Sequence, residues 1–282
     1  MGHQIALLLG TGDCVRTSRQ GGPAGWVSLD LGTLAREPHL AAALIRDLQV
    51  SAVYCAGGAS NVELCETQQE MTMAINCAGP AALAAAARDI PFVYFSTEYV
   101  FDGLAGPYHE DSAAAPISAY GRSKWRGEVE VRNSHPSPLI VRTTVVYGSD
   151  PGQRNFLYSL RRCLSSQQVF CVPMDQISTP TYNRDLATAA VALVEAGAHG
   201  AYHVCGPERL SRLEFARRAA LALRLDPSYI AGVSSIELGQ LAPRPLSAGL
   251  SIDKLRGAYP QLYMRNVEEA IQDWQAISEP TS

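Results

Sequence analysis

Tyr120-Gly121-Arg122-Ser123-Lys124 sets a phenol and an ammonium four residues apart. In a helix that spacing is one turn, so both side chains stand on one face. An ammonium beside a phenol favours the phenolate. It would draw a pKa of about 10 toward the range where the group can give or take a proton. Alone the pair is a weak signal, because surface helices bring tyrosine and lysine to this spacing by chance. A second set of groups strengthens it. Ser96-Thr97-Glu98-Tyr99-Val100-Phe101-Asp102-Gly103 follows the apolar run Phe92–Ser96, and in an open parallel sheet ligands bind at the carboxyl ends of strands. A hydroxyl there would hold a substrate oxygen and share its proton with the tyrosine. The structural alternative is that Ser96 and Thr97 only close a strand and satisfy nearby backbone groups.

The elements that must position these groups are legible as an alternation. Apolar runs of strand length recur at Ile5–Gly10, Trp26–Leu31, Val50–Ala56, Phe92–Ser96, Leu139–Val146 and Ala201–Cys205. Between them lie segments of helical period, among them Leu40, Ala41, Leu44, Ile45 and Leu48, the alanine-rich run 81–87, and a stretch from Tyr120 to Val131. Nearly all-apolar strands alternating with helices describe an α/β chain whose parallel sheet is covered on both faces. The last third is more helical, with Ser211-Arg-Leu-Glu214 and Asn266 as helix starts. The expected organisation is a Rossmann-like, doubly wound core over 1–154, completed by 183–206. A smaller lobe is expected from 155–182 and 207–282.

Composition narrows the partners. The 282 residues are 47% hydrophobic and 18% charged, with a net charge of −4. Such a chain can bury a sizeable core, and its charge attracts neither nucleic acid nor an anionic membrane. A small-molecule substrate is the expected partner. The seven cysteines form no C-x-x-C pair, and the start shows no leader-like pattern. They read as reduced, mostly buried thiols of a cytoplasmic protein. Histidines, cysteines and carboxylates nowhere gather at metal-ligand spacing, so no metal site is expected.

The octapeptide from Ser96, the Tyr120–Lys124 motif and Val141-Arg-Thr-Thr-Val-Val-Tyr-Gly148 together resemble the extended short-chain dehydrogenase/reductase superfamily. Within it the chain is most similar to dTDP-4-dehydrorhamnose reductases and to the regulatory β subunit of methionine adenosyltransferase. The match runs from about Asp30 to about Ile271, through Asp175-Gln176, Thr179-Pro180-Thr181 and Arg244-Pro245-Leu246. The resemblance implies that Thr97, with Ser96 beside it, binds the substrate oxygen, that Tyr120 exchanges the proton, and that Lys124 lowers the tyrosine pKa and holds a nicotinamide ribose. It further implies substrate contacts from Val62, Glu63, Glu98, Val145, Asn155, Asp175 and Thr181. Glu63 and Glu66 read equally well as solvated loop carboxylates, and Asp175 as a cap. The rhamnose reductases usually carry tryptophan where this chain has Val145, which points to a different sugar or none. The superfamily often dimerises through helices beside the active-site helix, leaving a homodimer open.

The superfamily's first unit should read strand, G-x-x-G-x-x-G, helix, strand, with the pyrophosphate at a helix amino terminus. Here Ile5–Gly10 reads as the first strand, but Gly10 and Gly12 lack a third glycine. Only fifteen residues, 11–25, reach Trp26–Leu31. That is too few for a helix of about ten residues and a strand of about five, with loops besides. The first helix and second strand therefore read as shortened or lost. The leading expectation is an atypical enzyme with no resident cofactor, using Tyr120, Lys124 and Thr97 for elimination, isomerisation or cyclisation. The alternatives are an NADPH-dependent reductase of a nucleotide-linked keto sugar and a non-catalytic regulatory subunit. If NADP or NAD binds, Gly10, Gly12, Arg16, Ala56 and Gly57 would be its contacts.

Overall fold

The computed structural model describes residues 1–10, 12–19, 21–22 and 25–278. Residues 11, 20, 23 and 24 of the bridging segment and 279–282 of the predicted second lobe lie outside it. The chain opens with helix α1 (Gly2–Leu9) and a two-stranded parallel ribbon, β1 (Arg16–Ser18) and β2 (Trp26–Ser28). Next come α2 (Leu31–Arg36), α3 (His39–Leu48), β3 (Val53–Cys55) and α4 (Val62–Thr67). α5 (Gln69–Met73) continues through a π-turn (Ala74–Ala78) into α6 (Gly79–Ala86). β4 (Phe92–Thr97), a 3₁₀ turn (Glu98–Val100), α7 (Ala119–Ser134) and β5 (Leu139–Thr143) carry the motif residues. The remainder is β6 (Val146–Tyr147), α8 (Phe156–Ser165), β7 (Phe170–Pro173), β8 (Ile177–Ser178), β9 (Thr181–Tyr182), α9 (Asn183–Glu195), β10 (Gly200–His203), β11 (Leu210–Ser211), α10 (Arg212–Ala222), β12 (Ile230–Val233), α11 (Asp253–Ala258) and α12 (Val267–Ser278).

The central sheet is parallel, with strand order β10-β5-β4-β3. β4 is buried at every position, as expected of a strand covered on both faces. One face packs Val93, Leu139 and Val141 against Leu186, Ala190 and Leu193 of α9. The other packs Phe92, Tyr94 and Ile140 against Leu83 and Ala84 of α6 and Val131 of α7. A separate core joins Leu157 and Leu160 of α8 to Phe215 and Ala219 of α10 and Ile271 and Trp274 of α12. Both carboxy-terminal helix starts are capped. Ser211 accepts from the Glu214 amide at 3.0 Å; Asn266 and Glu269 bond reciprocally, at 2.9 and 3.1 Å.

Three expected strands differ. Ile5–Gly10 is not a strand: residues 5–9 lie in α1, and Gly10 is its carboxy-terminal cap. Its Gln, Ala and Leu are good helix formers, and a short apolar run does not by itself separate a strand from a buried helix. Ile5 and Ala6 are buried while Leu7 and Leu8 are exposed, a one-sided pattern that suits a helix on the core. Trp26–Leu31 is strand only to Ser28 and pairs with β1, not with the central sheet. Leu31 instead opens α2, capped by the Asp30 carboxylate on the Gly32 amide at 2.8 Å. Between α1 and β2 the expected loss of a helix holds among the described residues, but a short strand, β1, is present. Leu139–Val146 breaks at Val145, whose φ of 42° no β-branched residue adopts inside a strand.

Candidate active site

α7 brings Tyr120 and Lys124 to the carboxyl end of β4. Its start is fixed twice: the Ser118 hydroxyl accepts from the Gly121 amide at 3.0 Å, and the Glu66 carboxylate accepts from the Ala119 amide at 2.6 Å. Its close approach depends on glycine. A Cβ at Gly121 would stand 2.2 Å from the Tyr99 carbonyl, and one at Gly127 2.3 Å from both the Asn76 carbonyl and the Tyr94 hydroxyl. Farther along, Glu128 is fully buried. It accepts from Arg142 of β5 at 2.8 and 2.9 Å, from the Ser96 hydroxyl at 2.6 Å and from Arg132 at 3.0 Å. Helix and strands are thus pinned together directly behind the motif.

The Tyr120 phenol is half-buried beside the Thr97 side chain, while Tyr99 packs edge-on against it with ring centroids 5.4 Å apart. Burial pushes the phenol above its ordinary value, and the polar Thr97 side chain beside it pulls it part of the way back. The expected pairing with Lys124 takes another form. The Lys124 ammonium is buried and lies 3.9 Å from the centre of the Tyr94 ring, with Cys55 and Glu128 as its charge neighbours. Burial lowers it to about 8. Lys124 therefore stands one helical turn from Tyr120 with its ammonium over the Tyr94 ring.

The other predicted residues divide into those facing the cleft and those holding it. Tyr120, Val62, Val145 and the Ala56–Gly57 turn beyond β3 are partly or fully exposed, Thr97 is buried at the end of β4, and Ser96 is tied to Glu128. Glu63 accepts from the Leu241 and Ala242 amides at 2.9 and 3.1 Å and from Arg244 at 2.6 Å, so it fastens the carboxy-terminal segment to the core. Glu98 is buried and accepts from the Thr144 hydroxyl and, at 3.0 Å, from the Gly249 amide. Asn155 caps α8, Asp175 accepts from the amide and hydroxyl of Ser235, and Thr181 donates to the Thr179 carbonyl. These three are bound up internally. Arg16 lies against Trp26 on the outer ribbon; Gly10 and Gly12 adjoin it in sequence.

Sequence reasoning missed Tyr99 and Arg212 as cleft residues, and quoted Arg244 without a role. The Arg244 guanidinium donates to the Tyr99 hydroxyl at 3.1 Å, and Arg212 leads α10 with its guanidinium 5.6 Å from the Phe156 ring centre. Arg212 stands inside Ser211-Arg-Leu-Glu214, whose capping pattern was the only signal there. Among the described residues, no group of histidine, cysteine and carboxylate side chains could hold a metal ion, and no helix is long and apolar enough to cross a membrane.

Residues 27–276 match the profile of the RmlD substrate binding domain. The chain belongs to that family. A Haloferax volcanii relative named "Probable low-salt glycan biosynthesis reductase Agl14" is 33% identical over 76% of this chain and 73% of its own length. The β subunit of Xenopus laevis methionine adenosyltransferase 2 is 28% identical, over 76% of this chain and 66% of its own. Among solved structures, dTDP-4-dehydrorhamnose reductase from Bacillus anthracis in complex with NADP superposes with a TM-score of 0.82. It shares 26% identity and covers 92% of this chain and 97% of that one. The α/β Rossmann-like fold is therefore that of the RmlD reductases. These likenesses overturn the expected nicotinamide-free acid/base enzyme and favour the NADP or NAD alternative over no cofactor: the Bacillus anthracis relative holds NADP in its crystals.

A nicotinamide dinucleotide fits the RmlD cleft at one end. Lys124 sets an ammonium near Cys55 at the end of β3, a donor that suits a ribose hydroxyl, with Tyr120 one helical turn away. At the phosphate end the described residues lack a strand–turn–helix. α1 directs its carbonyl end toward Gly10, the wrong pole for a phosphate, so no phosphate contact is assigned there.

Proposed function

We propose that this RmlD-family protein is a nicotinamide-dinucleotide-dependent reductase of a nucleotide-linked keto sugar. The observation that carries the reading is the Tyr120 phenol beside Thr97 at the end of β4, with Lys124 buried one helical turn away. The dinucleotide supplies the hydride. Lys124 would hold its ribose end, near the end of β3. Thr97 holds the carbonyl oxygen of the substrate against the phenol. Tyr120 gives that oxygen its proton, and its raised pKa keeps the phenol protonated and ready to donate. Lys124, with an ammonium poised near neutrality, stabilises the phenolate left behind.

The test is oxidation of NADPH in the presence of dTDP-4-dehydrorhamnose, followed by absorbance. Tyr120→Phe should cost roughly 10²- to 10⁴-fold in turnover, with NADPH binding, read by fluorescence titration, nearly unchanged. A wild-type protein that neither binds NADPH nor reduces the sugar would overturn the reading. Activity insensitive to Tyr120→Phe would overturn the role of the phenol.

A further inference from the structure

Lys124 is buried, yet among the described residues its ammonium makes no hydrogen bond or ion pair. Two titratable groups bear on it, Cys55 from β3 and Glu128 one turn along α7. Neither matches its charge. Glu128 has both oxygens engaged by Arg142, and it also accepts from Arg132 and the Ser96 hydroxyl. Burial pushes the Cys55 thiol up to about 11, so it is neutral at working pH. An ammonium taken out of water with no counter-ion is costly, and such a group tends to shed its proton. What it does meet is the face of the Tyr94 ring, 3.9 Å from the ring centre.

Tyr94 is fully buried in β4, in register with Cys55 of β3, and both side chains lie on the sheet face that packs against α6 and α7. Its hydroxyl is held at the far end. It donates to the Asn76 carbonyl of the π-turn at 2.5 Å, and a Cβ at Gly127 would stand 2.3 Å from it. Around the phenol stand Cys55, Cys77, Glu128 and Tyr120, and burial holds it well above its ordinary value, so the ring stays neutral. The face of such a ring carries the negative part of its quadrupole, which attracts a cation most strongly where water is excluded. A ring pinned at its hydroxyl therefore offers the lysine a seat that does not turn.

We propose that Tyr94 is a positioning residue for the reductase site: the face of its ring carries the Lys124 ammonium and sets where it stands relative to Tyr120 and the cofactor ribose. The assignment rests on the reductase reading of the cleft. A flexible four-carbon stem alone would let the ammonium swing. The ring also opposes burial, which pulls Lys124 down to about 8, and so helps keep the charge that a ribose hydroxyl and a phenolate require.

The chain has two lysines, Lys124 and Lys254. Lysine labelled with carbon-13 therefore gives two ε-methylene signals in nuclear magnetic resonance, assigned with Lys254→Arg. Lys254 is exposed, sits over the Tyr202 ring and donates to the Ala201 carbonyl at 2.7 Å, so it serves as the reference. In the full chain without cofactor, the Lys124 ε-protons should lie upfield of free lysine, shielded by the ring. Tyr94→Phe keeps the ring face and should keep both that shift and the titration midpoint. Tyr94→Met fills the space without a ring. It should return the signal toward the free value and lower the midpoint by about one pH unit, a tenfold loss of proton affinity. NADPH affinity should then fall about tenfold at pH 9 and little at pH 6. The alkaline limb of kcat should move down in pH with it. A wild-type signal at the free-lysine position overturns the proposal, as does Tyr94→Met with the wild-type shift and midpoint. If Tyr94→Met does not fold, which loss of the Lys254 ring shift would show, wild type and Tyr94→Phe decide: a Tyr94→Phe signal at the free-lysine position overturns it. Failure of the reductase reading shows separately. A wild type with the ring shift that never binds NADPH keeps the lysine seat and loses the activity.

Discussion

Glu98 is buried with both oxygens engaged, one by Thr144 and one by Gly249, and burial raises its carboxyl to about 7 from an ordinary 4.5. Between those two values the folded protein holds a proton that the unfolded chain has released. Stability therefore falls as pH rises from about 5 to 7 and stays low above that. The cost of keeping this carboxylate charged is about 3 kcal/mol. Glu98→Gln keeps an acceptor for Gly249 and a polar partner for Thr144 without the charge. Its melting temperature relative to wild type should climb between pH 5 and pH 7 and level off by pH 8. A difference that stays flat across that range would show that Glu98 does not titrate there. The same side chain shows how far residue types alone could be read. The sequence marks Glu98 by its place in a motif, but nothing in it shows that Thr144 and Gly249 occupy the carboxylate. Asn155, Asp175 and Thr181 are alike in this: an oxygen that can bind a substrate can equally bind its own backbone.

At the scale of elements, α7 was legible because local signals agree. Ser118 stands at its start, the apolar positions recur at helical spacing, and glycine lies where the helix meets the 3₁₀ turn and the π-turn. α1 was not legible, since a run of eight residues carries too little period to exclude a strand. Nor was Glu128. On a polar helix a glutamate reads as solvated, and only the fold delivers Arg142 from a strand fourteen residues away. Removing that carboxylate leaves Arg142 buried and unpaired. Glu128→Ala should cost about 3–5 kcal/mol in urea unfolding. Replacing both partners, as in Glu128→Leu with Arg142→Met, should restore much of the loss, because the desolvation penalty disappears with the pair. If the single variant proves as stable as wild type, the pair does not anchor α7.

For the whole molecule, polar contacts from several elements fasten the carboxy-terminal segment 241–251 to the core, and Glu63 makes three contacts to its start. The alternation of apolar runs revealed a sheet-bearing core and a more helical lobe. It gave no means of seeing which residues bridge them, because partners 178 to 181 positions apart leave no local pattern. Glu63 is partly exposed, so its contacts contribute modestly to folding, about 1 kcal/mol together. Their effect on the cleft should be larger. Glu63→Ala frees Arg244 from one of its two anchors and releases the Leu241 and Ala242 amides, so the segment that carries Arg244 loses its fixed approach to Tyr99. Substrate KM should then rise by roughly tenfold, while melting temperature and NADPH affinity change little. Glu63→Gln, which retains an acceptor for the two amides, should fall between the two. Direct contact between Glu63 and the substrate predicts another order: Gln would be as impaired as Ala, and raising the salt concentration would weaken wild type toward both.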